Sequence, residues 1–389
     1  MRITSAPRHQ YLYYVVLGFL AFNDLAKGTF AMQSQTSRAA VAQLRSTSDK
    51  LSNLLDVAKC AGWAKREGAS MLFLPECFGF LGESGQETLS RAEPPILVSG
   101  SESAQQKSVK GPIFDALKLT VSSYANGSEQ VADISESSVQ IEVSLLDGLK
   151  TIARESGCWL SAGGMHESGA PPAAMGGEGN EAKSRVYNSH VIIDSDGIVK
   201  STYRKSHLFD VSIPNKVNLR ESATTAPGEE LVVCDSPIGR LGLSTCYDVR
   251  FPEMYVDLVQ RGGAEILLVP SAFTVPTGKA HWHTLLTARA IENQCYVLAA
   301  AQVGKHNNKR KSYGHSLAVD PWGDIVADAG GYDGAGTMST ERYVEDEDAV
   351  SPVEVPSIIL CDIDREKINS VRERIPIQQH RANAVIRFG

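Results

Sequence analysis

In the stretch Gly239-Arg-Leu-Gly-Leu-Ser-Thr-Cys-Tyr-Asp-Val-Arg-Phe-Pro-Glu253, a cysteine follows a short apolar run. The run is typical of a buried strand, and Pro252-Glu253 is typical of the start of a helix. Cys246 is therefore predicted at a strand-to-helix turn, where its thiol can face a cleft and meet backbone N–H groups. We expect this position to lower the pKa of the thiol and to favour the nucleophilic thiolate.

Two similar strand ends lie upstream of the cysteine. Met71-Leu-Phe-Leu-Pro-Glu76 places a carboxylate just beyond an apolar strand, and Val199-Lys-Ser-Thr-Tyr-Arg-Lys205 places an amine just beyond another. A thiol can attack an amide carbon, a carboxylate can carry the thiol proton to the leaving amine, and an ammonium can stabilise the oxyanion. The spacing therefore indicates amide hydrolysis by Glu76, Lys205 and Cys246, and this chemistry needs no metal and no cofactor.

Each of these residues also has a simpler explanation when it is considered alone. A free cysteine is most often a small buried apolar residue, a glutamate can cap a helix, and a lysine is usually a surface charge. The simpler explanations weaken because the three motifs occur together and in this order. Cys77, which directly follows Glu76, is interpreted as a packed thiol. His281 and His315 are interpreted as packed or hydrogen-bonded histidines rather than as partners of a cysteine nucleophile.

The three motifs resemble those of the nitrilase superfamily of carbon–nitrogen hydrolases, and the resemblance covers the chain from about Arg38 to about Arg381. It is closest to the branch of the deaminated glutathione amidases. The segments that carry it are Phe73-Leu-Pro-Glu-Cys-Phe78, Tyr203-Arg-Lys-Ser-His-Leu-Phe-Asp210, Cys246-Tyr-Asp-Val-Arg-Phe-Pro-Glu253, Pro270-Ser-Ala-Phe273, Ala280-His-Trp282, Ala288-Arg-Ala-Ile-Glu-Asn-Gln-Cys-Tyr296, Tyr313-Gly-His-Ser316 and Asp320-Pro-Trp-Gly323.

The resemblance implies a role for each motif residue. Glu76, Lys205 and Cys246 take the triad positions, and Glu221 matches a second glutamate that orients the lysine or the attacking water. The backbone N–H of Tyr247 would be a further oxyanion donor. Arg250 is interpreted as part of a structural ion pair, because branches with different substrates share it.

The chain departs from the family pattern where Gly-Pro-Ala-His-Trp-Glu is usual. Here the segment is Gly278-Lys-Ala-His-Trp-His283, so that Lys279 and His283 replace a proline and a glutamate. If these two cationic side chains line the leaving-group side of the pocket, they would favour an anionic leaving group over ammonia.

Strand and helix patterns alternate from Arg38 onward, which indicates an α/β fold with strands packed between helices. The resemblance implies a four-layer αββα sandwich, commonly paired into dimers, and so a homodimer or higher homo-oligomer. We predict one hydrolase domain over residues 38–389. Low-complexity composition predicts flexible surface insertions near 97–140, 168–184 and 330–355.

Residues 1–37 form a predicted N-terminal extension. Its apolar run from Tyr11 to Phe22 is too short for a comfortable bilayer span, which takes about 20 residues. The run resembles a targeting segment, or the annotated start is wrong and Met32 is the first residue. The expected location is cytoplasmic or organellar (mitochondrion or plastid), depending on whether residues 1–31 are a real address.

The composition agrees with an enzyme that acts on a small molecule. A net charge of −7 and scattered basic residues give no footprint for nucleic acid, and seven irregularly spaced cysteines indicate reduced thiols. The predicted activity is hydrolysis of deaminated glutathione to α-ketoglutarate and cysteinylglycine through a cysteine thioester. The alternatives are an omega-amidase acting on α-ketoglutaramate or succinamate, a true nitrilase, and a non-catalytic scaffold. A scaffold would usually have lost a triad residue, whereas this chain keeps all three.

Overall fold

The computed structural model describes residues 36–98, 111–131, 144–172, 184–213, 217–331 and 355–383. The chain divides between Gln35 and Thr36 into two units, and every described residue belongs to the second unit. The predicted extension therefore lies almost wholly outside the described residues. Within the described ranges, no helix is both long enough and apolar enough to cross a membrane.

Strands supply most of the framework. They are β1 Ser37–Leu44, β2 Met71–Leu74, β3 Trp159–Ala170, β4 Arg185–Ile193, β5 Val199–Arg204, β6 Asp210–Ile213, β7 Val217–Arg220, β8 Val233–Ser236, β9 Gly239–Leu243, β10 Ile266–Leu268, β11 Tyr296–Ala299, β12 Ala301–Lys305, β13 Lys311–Tyr313, β14 Leu317–Val319, β15 Ile325–Asp328 and β16 Ser357–Ile363. Two antiparallel pairs, β4–β5 and β14–β15, join strands that are consecutive in the chain.

The strands form two main sheets. The first is eight-stranded in the order β13-β12-β1-β2-β3-β4-β5, and β16 also pairs with β1. The second is six-stranded in the order β15-β14-β11-β10-β9-β8, and β6 and β7 form a separate pair. In both sheets the central strands are parallel, as in β1–β2–β3 and β9–β10–β11. Parallel neighbours place their carboxyl ends at the same edge, which brings the polar residues after these strands together.

Helices cover the outer faces of the sheets. They are α1 Lys50–Arg66, α2 Gly85–Ser90, α3 Pro112–Ala125, α4 Leu145–Ser156, α5 Pro252–Gln260, α6 Val275–Asn293, α7 Arg365–Arg374 and α8 Ile377–Asn383. The start of α1 is fixed by Asp49, whose side chain accepts hydrogen bonds from the N–H groups of Leu51 and Ser52.

The alternation of side chains along β1 and β2 shows how the layers are arranged. Ala39, Val41 and Phe73 belong to a buried cluster that also holds the apolar residues of the second sheet and of α5 and α6. The next residues along the strands, such as Ala40 and Leu72, pack against α1, α3 and α4. Successive residues of a strand point to opposite faces, so the first sheet is buried on both sides. The predicted four-layer αββα sandwich is confirmed.

One predicted insertion is partly wrong. Within the segment 97–140, residues Pro112–Ala125 form helix α3, and its Ile113, Leu117 and Val121 are buried in the core beside α1 and α4. These residues are four positions apart and so share one helix face. The Ser- and Gly-rich composition of the whole segment concealed the helical spacing of these few apolar residues. The remaining parts, 99–110 and 132–143, lie outside the described residues.

The other two predicted insertions are mostly outside the described ranges. Strand β3 continues to Ala170, and residues 173–183 are not among the described residues. The third insertion includes residues 332–354, which are also outside it.

Candidate active site

A cavity of about 500 Å³ lies where β2, β5 and β9 end. The five predicted site residues come to it from four separate parts of the chain, and all of them line it. They are Glu76, Lys205, Glu221, Cys246 and Tyr247. The structure therefore brings together every residue that the sequence assigned to the site.

The ammonium of Lys205 lies at the centre of the polar contacts. Its Nζ is 3.0 Å from Glu76 Oε1, and 3.1 and 3.0 Å from the two carboxylate oxygens of Glu221. Lys205 is only 2% exposed. Burial lowers the pKa of its amine, but the carboxylates of Glu221 and Glu76 outweigh burial and raise that pKa well above its ordinary value. Lys205 is therefore a permanent cation held between two anions.

The carboxylate of Glu76 is oriented by donors on both of its oxygens. Oε1 accepts from Asn188 Nδ2 at 2.9 Å as well as from Lys205, and Oε2 accepts from the backbone N–H of Ala272 at 3.1 Å. Burial raises the pKa of Glu76, but Lys205, Cys246 and Asn188 together bring it below its ordinary value. Glu76 is consequently ionised at neutral pH and can accept a proton.

The thiol of Cys246 does not have the property predicted from its turn. Burial raises the pKa of the thiol, and the neighbouring Glu76 carboxylate raises it further. Lys205 and the Ala272 N–H act in the opposite direction but do not compensate, so the pKa lies well above its ordinary value. The prediction of a lowered thiol pKa was wrong because the turn places Cys246 in a half-buried position beside the Glu76 carboxylate. The same geometry gives the thiol proton an acceptor, since the ionised Glu76 carboxylate lies close enough to the thiol to raise its pKa.

The backbone at Cys246 is held in an uncommon conformation. Its φ is +52°, in the left-handed region that non-glycine residues seldom adopt, and its N–H donates to Pro270 O at 2.9 Å. The following residues form a 3₁₀ turn, Cys246–Arg250, in which Asp248 Oδ2 accepts from the Thr245 N–H at 2.8 Å and the Asp248 N–H donates to Thr245 O at 3.2 Å. This turn is the strand-to-helix connection predicted from the sequence.

Asp248 ties this turn to the end of β5. Its fully buried carboxylate accepts from Tyr203 Oη at 2.7 Å and from the backbone N–H and Nδ1 of His207 at 3.0 and 2.8 Å. Because Tyr203 and His207 flank Lys205, the hydrogen bonds of one carboxylate set the position of the lysine relative to Cys246.

Tyr247 contributes its backbone as well as its ring. Among the described residues, no carbonyl accepts a hydrogen bond from its N–H, and the residue lines the cavity directly beside Cys246. An N–H in this position is available to a negatively charged oxygen that forms next to the sulfur.

Arg250 differs from the predicted structural ion pair. Within the described ranges, no carboxylate oxygen lies within 4.0 Å of its guanidinium. The recorded polar partner is His281, with both terminal nitrogens 3.3 Å from Nδ1. The guanidinium lies over the rings of Tyr247 and Phe273, at 5.7 and 5.5 Å from their centroids, and Arg250 lines the cavity. Arg250 is therefore placed to meet an anion inside the cavity.

Lys279 and His283 do not occupy the place suggested for them. Neither lines the cavity, because the residues that reach it here are Thr274 and Thr277, at and near the start of α6. His283 instead lies 3.0 Å from Asp328, and His315 lies 2.9 Å from the same carboxylate. These three side chains could hold a metal ion, but their separations are those of direct hydrogen bonds between the imidazoles and the carboxylate.

Sequence reasoning missed two of the groups that orient Glu76. Asn188 lies in β4, where it is the first of three consecutive buried polar residues, Asn188, Ser189 and His190, and this polar run within a strand was the available signal. The backbone N–H of Ala272 had no signal, because only the fold shows which main-chain group is aimed at the carboxylate.

Comparison with known proteins adds independent information. The model of the carbon–nitrogen hydrolase family matches residues 38–351. The deaminated glutathione amidase of Dictyostelium discoideum is 36% identical over 90% of this chain and 95% of its own length. The human deaminated glutathione amidase is 38% identical over 88% and 81%. The crystal structure of the C. elegans NitFhit protein superposes with a TM-score of 0.64 at 35% identity, over 90% of this chain and 66% of that chain.

Proposed function

Because the chain belongs to the carbon–nitrogen hydrolase family, we propose that its cavity hydrolyses the amide bond of deaminated glutathione, with α-ketoglutarate and cysteinylglycine as products. The chain is a hydrolase of carbon–nitrogen bonds, and relatives at 36–38% identity carry the name deaminated glutathione amidase. The observation that carries the proposal is the contact between Lys205 and the two glutamates, on the wall of the same cavity that Cys246 lines.

In the first half of the reaction, Cys246 Sγ attacks the amide carbon while Glu76 accepts the thiol proton. The carbonyl oxygen becomes negatively charged and is stabilised by the Lys205 ammonium and the Tyr247 N–H. Collapse of this intermediate breaks the C–N bond. Glu76 then gives its proton to the departing nitrogen, and an acyl thioester remains on Cys246.

In the second half, water replaces the amine. Glu76 accepts a proton from the water as its oxygen attacks the thioester carbon, and the C–S bond breaks. The carboxylic acid leaves, and Cys246 recovers its proton. The raised pKa of the thiol suits this cycle because the sulfur is protonated between turnovers and ionises only as it attacks.

Glu221 has a positioning role in this proposal. Both of its oxygens accept from Lys205, and Oε2 also accepts from the Phe209 N–H at 2.7 Å. It therefore neutralises part of the lysine charge and keeps the ammonium directed at the cavity, without contacting the substrate.

The cavity suits a substrate larger than a simple amide. A volume of about 500 Å³ lies within the range of sites for drug-sized ligands. Deaminated glutathione has a carboxylate at each end, and the cavity wall includes the cations Arg220, Arg250 and Arg310. Omega-amide substrates such as α-ketoglutaramate share the α-keto acid end and would use only part of this space.

The decisive experiment compares purified wild-type protein on deaminated glutathione, α-ketoglutaramate and a simple nitrile. We expect the highest kcat/KM for deaminated glutathione. Equal efficiency on the first two substrates would move the protein to the omega-amidases. Cys246→Ser should keep the fold, measured by circular dichroism, and lose more than about a hundredfold in rate, because a hydroxyl is a much poorer nucleophile here and even one oxyanion donor is worth about 10²–10³. Thioester formation would be refuted by a Cys246→Ser variant that retains more than a hundredth of the wild-type rate.

We also propose that copies of the chain pair into a homodimer through a helical layer. Exposed apolar side chains on or beside the helices α6 and α7 support the proposal. Ile291 of α6 is 46% exposed, and Ile375, just after α7, is 43% exposed. Light scattering coupled to size-exclusion chromatography tests it, and a monomer at micromolar concentration would refute it.

A targeting role for residues 1–31 is a separate proposal. Fusion of these residues to a fluorescent protein would show whether they direct the fusion to a mitochondrion or plastid or leave it in the cytoplasm.

A further inference from the structure

A basic hairpin tip lies over one side of the cavity. Strands β12 and β13 are joined by residues 306–310, and the cavity wall includes Lys309, Arg310 and Lys311. The tip is fixed to the segment that follows Glu76, because Asn307 Nδ2 donates to Gly82 O at 3.4 Å and Lys309 Nζ donates to Glu83 O at 3.3 Å. The hairpin therefore holds positive charge at a defined place beside the site.

Arg310 is the member of this tip with an uncommitted charge. Its backbone N–H bonds to Asn307 Oδ1 at 3.0 Å, but its guanidinium donates no hydrogen bond to any described residue. A guanidinium carries five N–H donors in a planar fork that matches a carboxylate. An exposed arginine at a cavity wall with all of these donors available is suited to bind an anionic ligand.

The hairpin tip that carries Arg310 lies on the Glu76 side of the cavity, because it is bonded to Gly82 and Glu83, which follow Glu76 closely in the chain. Burial, and next the positive charge of Arg310, lower the pKa of His166 to about 4, which agrees with this placement. His166 follows the Gly164–Met165 segment that packs against the Glu76 loop, where Cys77 N donates to Gly164 O at 2.7 Å. Arg250 lies on the other side, over the ring of Tyr247 and so next to Cys246.

The chemistry assigns a direction to these two sides. In the proposed reaction the departing nitrogen must receive its proton from Glu76, so the leaving group lies on the Glu76 side of the scissile bond. The acyl part remains attached to Cys246. A leaving amine that carries its own carboxylate would therefore extend toward Arg310, whereas ammonia has nothing to place there.

We propose that Arg310 binds the carboxylate of the departing amine, so that the β12–β13 hairpin tip forms a subsite for an anionic leaving group. This assignment rests on the function proposed above and deepens it. It replaces Lys279 and His283 as the source of leaving-group selectivity, and it leaves Arg250 to meet the α-keto acid end.

The test measures kcat/KM of wild type and Arg310→Gln on deaminated glutathione and on α-ketoglutaramate. The expected loss on deaminated glutathione is about tenfold, or about 1.4 kcal/mol, the lower end for a hydrogen bond to a charged group because Arg310 is exposed. The ratio of the two kcat/KM values should narrow by the same factor. Arg261→Gln is the control, since Arg261 is an exposed arginine at the C-cap of α5, paired with Asp257 and outside the cavity wall, and its replacement should change neither value.

A substrate-side change supplies the second arm. Deaminated glutathione with a glycinamide end lacks the carboxylate assigned to Arg310. The kcat/KM of wild type should therefore be about tenfold lower on this compound than on deaminated glutathione. The kcat/KM of Arg310→Gln should be nearly the same on both compounds. An equal loss on both substrates in Arg310→Gln, or a full additional loss with the glycinamide compound, would overturn the assignment. If wild type hydrolyses neither substrate, the proposed function itself fails, which is a separate outcome from an unchanged ratio in an active enzyme.

Discussion

Replacement of Lys205 by methionine tests the electrostatic centre of the site. Lys205 is 2% exposed, and its partners Glu76 and Glu221 have side chains that are 7% and 19% exposed. Removal of the ammonium leaves two carboxylates close together with the Asn188 amide as a shared donor, at 2.9 and 3.4 Å. Breaking a buried pair by deleting one partner costs about 3–5 kcal/mol. We expect Lys205→Met to lose that much free energy of unfolding at pH 7.5, and to lose activity as well.

The loss should depend on pH in a defined direction. In the variant, mutual repulsion and burial raise the folded-state pKa of one carboxylate above its unfolded value, so its protonated form is favoured in the folded protein. Stability of that kind is fully present below the unfolded pKa and is lost as pH rises through the folded pKa. The deficit relative to wild type should therefore shrink between pH 7.5 and pH 5.5, by up to about 1.4 kcal/mol per pH unit.

Urea unfolding followed by tryptophan fluorescence at the two pH values measures the effect. Lys65→Met is the control, because Lys65 is an exposed lysine whose ammonium, among the described residues, bonds to a backbone carbonyl, Glu155 O, and to no carboxylate. Its loss should cost less than about 0.5 kcal/mol. A Lys205→Met deficit below about 1 kcal/mol, or one that is equal at both pH values, would contradict the description of Lys205 as the counter-ion of two buried carboxylates.

Two further predictions concern other parts of the molecule. Leu117→Ala should lower the free energy of unfolding by about 2–5 kcal/mol, because Leu117 is a fully buried residue of α3. Leu119→Ala on the same helix, where the side chain is 57% exposed, should be close to neutral. Equal effects of the two substitutions in urea unfolding would show that α3 is not part of the core. The acid limb of the pH profile of kcat/KM should lie below the ordinary glutamate pKa of about 4.3. The reason is that Glu76 must be ionised to accept the thiol proton, and its pKa is lowered in the free enzyme. An acid limb near pH 6 would assign the base to another group.

The site residues were predictable because their chemistry coincides with local strand ends. Glu76, Lys205 and Cys246 each follow an apolar run, and a run of this kind is visible in the sequence without any long-range information. The order of the layers followed from the alternation of strand and helix patterns along the chain, together with the resemblance to a known family. The helix start predicted at Pro252-Glu253 agrees with the structure, in which α5 begins at Pro252.

The incorrect predictions have a common physical origin in three-dimensional proximity. The thiol of Cys246 was expected to have a lowered pKa from its turn alone, but burial and the carboxylate of Glu76 decide the direction. Lys279 and His283 were judged by their charge, whereas the face of α6 on which they lie decides whether they reach the cavity. Arg310 has no local motif, since its importance comes from a hairpin tip that crosses to Gly82 and Glu83.

Composition misled the interpretation of residues 97–140 for a different reason. An average over forty residues of serine- and glycine-rich sequence suggests little apolar surface, yet one helix of fourteen residues can bury a single stripe. Ile113, Leu117 and Val121 form that stripe, and a test for period within a short window would have found it.

The candidate site joins the two sheets of the sandwich. Glu76 and Lys205 follow strands of the first sheet, and Cys246 follows β9 of the second, so the distance between the thiol and the carboxylate depends on the spacing between the two sheets. A misplacement of about 1 Å can cost about a hundredfold in rate. Selection for turnover is therefore also selection for the thickness of the apolar layer formed by Ala39, Val41, Met71 and Phe73 with the facing sheet. Substitutions that thin this layer on one sheet are expected to be accompanied, in active descendants, by bulkier residues on the other.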